Sequence, residues 1–353
     1  MNSATMQLLP KWSHASMVYR KLEKSSSWDC NACMGKGADI PRFKLNTGQY
    51  IPAIGLGTWQ SKPGLVGEAV KTAIKVGYRH IDCAKAYGNE KEIGDALQDL
   101  FREGIVTRGD LWITSKLWNS DQHPDDVPKA LAGSVERLQC GYLDLYLMHW
   151  PVALKKDAKG MAPEDFAPLD TKATWQAMEK CVESGGKTKA IGISNFSVEK
   201  TEHLLSYAKV VPAVNQVECH PVWQQKKLQP YLRSKGIHLS AYSPMGSGGS
   251  SFTEHIKVLD HPLLATLAKK YNKTPAEIAL RWNVQLGHSV LPKSTNPNRL
   301  EQNIDIFDFE ISEEDMEKFN SIEQVRILRG DDMWVRDRNS PYKTVEELWD
   351  GDI

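Results

Sequence analysis

From Arg42 onward, eight short apolar runs alternate with amphipathic stretches, and this alternation restricts the possible folds more than any other feature of the chain. The runs are Ile54–Leu56, Arg79–Ile81, Leu111–Ser115, Leu143–Met148, Ala190–Ile193, Ala213–Val217, His238–Tyr242 and Ser289–Leu291. Between them, Gly67–Lys75, Glu90–Arg102, Pro128–Leu138, Thr171–Glu183, Val198–Ala208, Lys227–Ser234 and Pro275–Gln285 carry apolar residues three and four apart, the period of a helix with one buried face. A strand followed by a helix, repeated without a break, calls for a parallel sheet with helical crossovers. Eight such units in roughly 315 residues fit one α/β domain, a single (β/α)8 TIM barrel. A doubly wound sheet with a separate cap competes, but it needs a glycine-rich phosphate loop. Gly55-Leu-Gly57-Thr-Trp-Gln60 is the only approach to that loop, and it lacks the third glycine.

Two segments precede the barrel. Phe43-Lys-Leu-Asn-Thr-Gly48-Gln-Tyr-Ile51 reads as a β-hairpin in which Gly48 supplies a positive φ. Residues 1–38 lack an apolar period and are rich in serine, so a flexible extension is expected there, with the barrel domain spanning 39–353. Met1–Leu22 has Lys11, Arg20 and Lys21 but no acid, a weak form of the pattern of a plastid or mitochondrial transit peptide; an untargeted tail on a cytoplasmic protein is the preferred reading. Cys30-Asn-Ala-Cys33 has the spacing of a redox or zinc pair, yet no second pair accompanies it, so two incidental thiols are expected.

Composition removes several classes of function. Lys plus Arg and Asp plus Glu both number 44, so the net charge is zero and nothing electrostatic favours nucleic acid or an anionic membrane surface. Mean hydropathy is -0.45. No run approaches the ~18 apolar residues that cross a bilayer. Six cysteines in 353 residues suit a reducing compartment better than a disulfide framework.

In a (β/α)8 barrel the reactive groups stand where strands end at the C-terminal face. Asp82 ends the second run, Lys116 follows the third and His149 closes the fourth, each about one βα repeat from the next. Tyr87 joins them from the loop after the second run. A phenol is a poor acid at neutral pH, and an adjacent ammonium lowers its pKa. Lys116 can supply that charge, Asp82 can orient Lys116, and His149 can hydrogen-bond a carbonyl oxygen and align it with the tyrosine. Singly, each residue also suits a structural role: an Asp82–Lys116 ion pair, a packed loop tyrosine, a core histidine. Four on one rim favour chemistry.

Other chemistries lack their residues. His80 and Asp82 share one strand face, but the first run offers no further ligand for a metal. There is no Gly-x-Ser-x-Gly elbow and no carboxylate pair at a telling spacing. In Glu218-Cys219-His220 neighbouring side chains point to opposite faces, so packing explains them better than a nucleophile and base.

These residues lie within a longer set of motifs. Gly55-Leu-Gly57-Thr58-Trp59, Tyr78-Arg-His-Ile-Asp82-Cys-Ala-Lys-Ala-Tyr87-Gly88-Asn-Glu90, Ile113-Thr-Ser-Lys116-Leu-Trp118 and Asp144-Leu-Tyr-Leu-Met-His149-Trp150-Pro151 come first. Ile191-Gly-Ile-Ser194-Asn195-Phe196, Val214-Asn-Gln216-Val-Glu-Cys-His220-Pro221, Ala241-Tyr242-Ser243-Pro244 and Leu291-Pro-Lys293-Ser294 follow in order. From about Phe43 to the C-terminus the chain resembles the aldo-keto reductases, and Glu347-Leu-Trp-Asp-Gly-Asp-Ile353 resembles the plant stress-related carbonyl reductases among them.

The resemblance implies an NADPH-dependent oxidoreductase of aldehyde-reductase type with Asp82, Tyr87, Lys116 and His149 as its catalytic tetrad. By the same match Ser194, Asn195 and Gln216 would bind the nicotinamide carboxamide, Tyr242 would stack on its ring, and Ser243 would contact the pyrophosphate. Lys293, Ser294 and Arg299 would hold the 2′-phosphate, and Thr58, Trp59 and Asp82 would also touch the cofactor. On the adenine side the usual Glu-Asn reads Gln302-Asn303, and Gln302 can still accept through its carbonyl. Trp59, Trp118 and Trp150 resemble the aromatic walls of a substrate pocket that also includes Tyr87 and His149. The resemblance implies a small or medium aldehyde or ketone as substrate, a monomer, and a role in carbonyl detoxification under stress. Residues 152–170, 244–260 and the tail from Val325 would close the site. The alternative function on the same barrel is a cofactor-bound, redox-sensing regulatory subunit.

Overall fold

Gly48 adopts φ 83° and donates its N–H to Leu45 O at 2.9 Å, so the chain reverses there and two short strands pair. They are β1 (Arg42–Lys44) and β2 (Tyr50–Pro52), antiparallel, with Phe43 opposite Ile51. The computed structural model describes residues 40–353 except 184, 247–256 and 336–338. The expectations for 1–38, including Cys30 and Cys33, and for the middle of the 244–260 loop lie outside the described residues.

Eight parallel strands follow: β3 (Leu56–Gly57), β4 (His80–Asp82), β5 (Trp112–Leu117), β6 (Leu145–Met148), β7 (Ile191–Ser194), β8 (Val214–Glu218), β9 (His238–Tyr242) and β10 (Ser289–Leu291). Each pairs with the next in sequence. The sheet closes because Gly55 N donates to Val290 O at 2.8 Å and Gly57 N to Pro292 O at 3.0 Å. Both glycines are demanded by this seam. A Cβ on Gly55 would lie 2.7 Å from the His80 ring, and one on Gly57 would lie 2.9 Å from Leu291 O. The Gly-x-Gly spacing therefore serves strand closure.

Helices α1 (Val66–Val76), α2 (Glu90–Arg102), α3 (Val127–Leu138), α4 (Thr171–Glu183), α5 (Val198–Leu205), α6 (Leu228–Ser234), α7 (Pro262–Tyr271) and α8 (Pro275–Gln285) lie between the strands or, for α7 and α8, between β9 and β10. Four more follow β10: α9 (Pro297–Ile304), α10 (Glu313–Lys318), α11 (Asp331–Trp334) and α12 (Val345–Trp349). The periodicity reading does not anticipate α7 or α9 to α12. Except for α11, which Gly330 precedes without a side-chain cap, their start signals are nonetheless written in the chain: proline at the first turn of α7 and α9, and side-chain caps from His261, Asn296, Ser312 and Thr344.

The hairpin sits at the N-terminal end of the barrel. Ile51 and Leu45 cluster with Trp112, Leu145, Leu147, Ala213 and Val214, and the Phe43 ring packs 5.2 Å from His238 at the start of β9. With that end plugged, the opposite rim is the one left for chemistry.

Candidate active site

All six residues of β5 are buried, and Thr114 and Lys116, two apart, share a strand face. A lysine fully withdrawn from water needs a counter-charge. Lys116 Nζ finds it in Asp82 Oδ2 on the neighbouring strand at 2.7 Å, and it also donates to Cys83 O at 2.9 Å and to Tyr87 OH at 3.2 Å. Asp82 is held from two further sides: Gln216 Nε2 donates to Oδ1 at 2.8 Å, and Thr58 Oγ1 donates to its backbone carbonyl at 2.8 Å. Burial alone would lower the Lys116 pKa, but Asp82 and then Tyr87 outweigh it and hold the ammonium above its ordinary range.

Tyr87 ends a 3-10 turn, Lys85–Tyr87, that follows β4 and is stopped by Gly88 at φ 69°. Burial pushes its phenol above the ordinary value, and the Lys116 charge pulls against that rise without cancelling it. The ammonium thus lowers the phenol's pKa as expected, but desolvation of the phenolate is the larger influence and the net shift is upward. His149 follows β6, and its backbone carbonyl accepts from Asn195 Nδ2 at 3.0 Å. Its Nδ1 is buried without a hydrogen-bond partner among the described residues. Burial, and then the Lys116 charge, hold the imidazole well below its usual pKa, so near pH 7 it is neutral. The His149 ring meets Tyr87 edge-on at 5.8 Å and Trp118 at 5.3 Å. The four groups anticipated on one rim are thus brought together there. They can hand a phenolic proton to an oxygen beside a neutral imidazole while an ammonium stabilises the phenolate left behind.

A second row of polar groups continues along the rim. Ser194 Oγ donates to Gln216 O at 2.8 Å, Asn195 Nδ2 reaches Ser194 Oγ at 3.2 Å, and Tyr242 OH donates to Asn195 Oδ1 at 2.7 Å. Asn195 and Ser243 have φ of 63° and 47°, the left-handed region. Beyond them Lys293 Nζ donates to Gln60 O at 3.1 Å, Ser294 Oγ accepts from Asn296 N at 3.1 Å, and Arg299 stands in the first turn of α9 with Asn296 capping it. On α9, Gln302 is exposed and Asn303 buried. Amides, an aromatic ring, a hydroxyl and two cations in that order are a donor set that suits a nicotinamide dinucleotide phosphate.

The sequence reading did not name the tail residues that back Trp118 and Trp150. Trp118 and Trp150 pack on Trp334 from α11 at 6.0 and 5.4 Å, and Trp150 also meets Trp349 from α12 at 5.9 Å. These rings come from the C-terminal tail, where a search of strand ends does not look. Trp59, the third expected wall residue, is half-buried beside Thr58. Glu218 and His220 pair at 2.9 Å, while Cys219 faces the other way, toward Asn283. Glu218 accepts the N–H groups of Ile327 and Leu328, so this carboxylate anchors the tail.

Residues 53–324 match the model of the Aldo/keto reductase family. The Aldo-keto reductase family 4 member C11 of Arabidopsis thaliana is 53% identical over 315 residues, covering 89% of this chain and 99% of its own. The Aldo-keto reductase family 1 member A1-A of Danio rerio is 44% identical over 313 residues, 84% and 96% of the two chains. Among solved structures, the aldose reductase of Schistosoma japonicum superposes with a TM-score of 0.78 at 37% identity, over 86% of this chain and 99% of that one. With the barrel, its rim and these relatives in agreement, the chain belongs to the aldo/keto reductase family of oxidoreductases.

Proposed function

We propose that the protein reduces aldehydes and some ketones to alcohols with NADPH, Tyr87 acting as the general acid. The observation that carries this reading is the Asp82–Lys116–Tyr87 chain at 2.7 and 3.2 Å beside the neutral imidazole of His149. When bound, NADPH would supply the hydride that reduces the carbonyl carbon. Ser194, Asn195 and Gln216 would hold its carboxamide, Tyr242 would stack on its ring, and Ser243 would contact the pyrophosphate. Lys293, Ser294 and Arg299 would hold the 2′-phosphate, while Gln302 and Asn303 would serve the adenine; Thr58, Trp59 and Asp82 would line the cofactor.

His149 donates an N–H to the carbonyl oxygen and turns it toward Tyr87. Tyr87 gives its hydroxyl proton to that oxygen as negative charge develops there, and Lys116 stabilises the resulting phenolate. Asp82 keeps Lys116 charged and aimed. Trp59, Trp118 and Trp150 exclude water and select a small or medium carbonyl compound by its apolar body. This apolar selection fits a role in carbonyl detoxification, carried out by a monomer in the cytoplasm. No helix among the described residues is long and apolar enough to cross a membrane.

The test is NADPH oxidation, followed by absorbance, against a panel of aldehydes, ketones and sugars. Turnover of several aldehydes supports the proposal. Tight NADPH binding with no turnover of any of them would favour the redox-sensing regulatory subunit instead.

A further inference from the structure

Two residues outside the four-group centre join the loops that carry Tyr87 and Trp118. Lys85 opens the 3-10 turn that Tyr87 closes. Asp121 closes the 3-10 turn Asn119–Asp121, which Trp118 caps, and its N–H donates to Trp118 O at 2.9 Å. Lys85 Nζ and Asp121 Oδ2 lie 2.5 Å apart, with the aspartate side chain 13% and the lysine 36% exposed. The contacts form a closed circuit. From Tyr87 it passes through the His149 ring to Trp118, along the backbone to Asp121, across the ion pair to Lys85, and back to Tyr87.

We propose that the Lys85–Asp121 ion pair is a clip that sets the position of the Tyr87 hydroxyl against the Trp118 wall, making both residues positioning residues for the reduction; this rests on the function proposed above. The Tyr87 phenol is tied at its tip by Lys116, and its backbone turn carries two local bonds, Tyr87 N to Ala84 O at 3.0 Å and Gly88 N to Lys85 O at 3.1 Å, with Asn89 Nδ2 donating to Thr58 O at 2.9 Å just beyond it. A three-residue turn is short of internal restraint, and general acid catalysis is sensitive to small displacements of the donor. The clip supplies a restraint from the opposite side of the pocket. By contrast, Lys91–Asp95 joins two residues of the single helix α2 and positions nothing across a gap. Surface pairs of that kind contribute little, whereas a pair with a mostly buried carboxylate bridging two loops is screened less.

The experiment uses the full chain and 4-nitrobenzaldehyde as the probe carbonyl. Lys85→Met and Asp121→Asn should each lower kcat about three- to tenfold while NADPH affinity stays within about twofold, and the double variant should be no worse than the worse single. The primary isotope effect from NADPH deuterated at the transferred position should rise, because hydride and proton transfer become more nearly rate-limiting. The charge-reversed pair Lys85→Asp with Asp121→Lys should recover most of the loss. A readout independent of turnover is the fluorine spectrum of protein carrying 3-fluorotyrosine: the Tyr87 resonance, assigned by its disappearance in Tyr87→Phe, should broaden or split when either partner is removed. Wild-type protein that turns over nothing sinks the proposed function, while the fluorine signal still reports on the clip. An unchanged Tyr87 resonance in both single variants overturns the clip, as does kcat within twofold of wild type in an active enzyme.

Discussion

Strand β4 runs from one end of the barrel to the other, and its two polar residues meet opposite fates. At the plugged end His80 lies 3.1 Å from Thr114 Oγ1, and His238 lies 3.0 Å from Ser289 Oγ, which donates on to Ser240. No carboxylate accompanies them in these bonds. Burial brings His80, His238 and His288 down to a pKa of about 3, with the Lys116 charge adding to the effect at His80. At the open end, two residues along the same strand, Asp82 faces an equally buried Lys116 and keeps it charged. Burial without a counter-charge silences a titratable group. Burial with one holds it ionised and aimed, and only the second end can do proton chemistry.

The largest expected effect tests the open end. Tyr87→Phe keeps the ring and removes the hydroxyl, so NADPH binding should survive while carbonyl reduction falls by ~100- to 10,000-fold. Lys116→Met should also lose activity, and the double variant should be scarcely worse than the worse single, since the two act as one unit. The pH profile carries a sign. Reduction needs the protonated phenol, so the rate falls as pH rises through the Tyr87 pKa; removing the Lys116 charge, which lowers that pKa, should move the alkaline limb to higher pH. Tyr87→Phe retaining more than about a tenth of wild-type turnover, with chemistry rate-limiting, would remove Tyr87 from the acid role.

Next in size is the far side of the rim. Losing one charge-assisted contact costs ~1.5 to 3 kcal/mol, so Arg299→Ala should weaken NADPH about tenfold to a hundredfold and leave NADH nearly unchanged. Equal losses in titrations with the two cofactors would remove Arg299 from the 2′-phosphate site.

The plugged end should show itself in stability instead of rate. Its histidines have folded pKa values of about 3 against 6.5 for the free side chain. As pH falls below 6.5 the unfolded chain takes up protons that the folded barrel refuses until about pH 3, so stability drops through that window, by up to about 1.4 kcal/mol per histidine per pH unit. Urea midpoints at pH 7.5 and 4.5 measure this. His80→Leu should make the slope shallower and leave kcat at pH 7.5 unchanged; a slope as steep as wild type would mean His80 is not among the silenced groups. The smallest effect concerns the extension. A chain beginning at Asp39 should keep its Tm and turnover, and a clear drop in either would mean that the preceding residues contribute to the barrel.

Much of this contrast was legible beforehand. The eight strand-like runs fall on the barrel strands to within a few residues, and Asp82, Lys116 and His149 stand out because a barrel repeats one unit and returns every strand end to the same rim. That the tail from Val325 closes over the rim was expected, but which of its residues do so was not legible. Trp334 and Trp349 reach Trp118 and Trp150 across most of the chain length, and no local period announces a contact of that range. The same holds for Glu218, whose partners Ile327 and Leu328 are backbone N–H groups and carry no side-chain identity to read.

What the sequence determined by itself was the order of elements, the barrel and the residue types at the strand ends, because strand and helix periodicity are local and a repeated βα unit has few ways to close. Tertiary structure decided the rest: which buried groups keep their charge, which carboxylate serves as counter-ion and which as anchor, and which tryptophans of the tail pack on Trp118 and Trp150. Those outcomes depend on desolvation and on distances between atoms far apart in the chain, and both come into being only when the barrel is assembled.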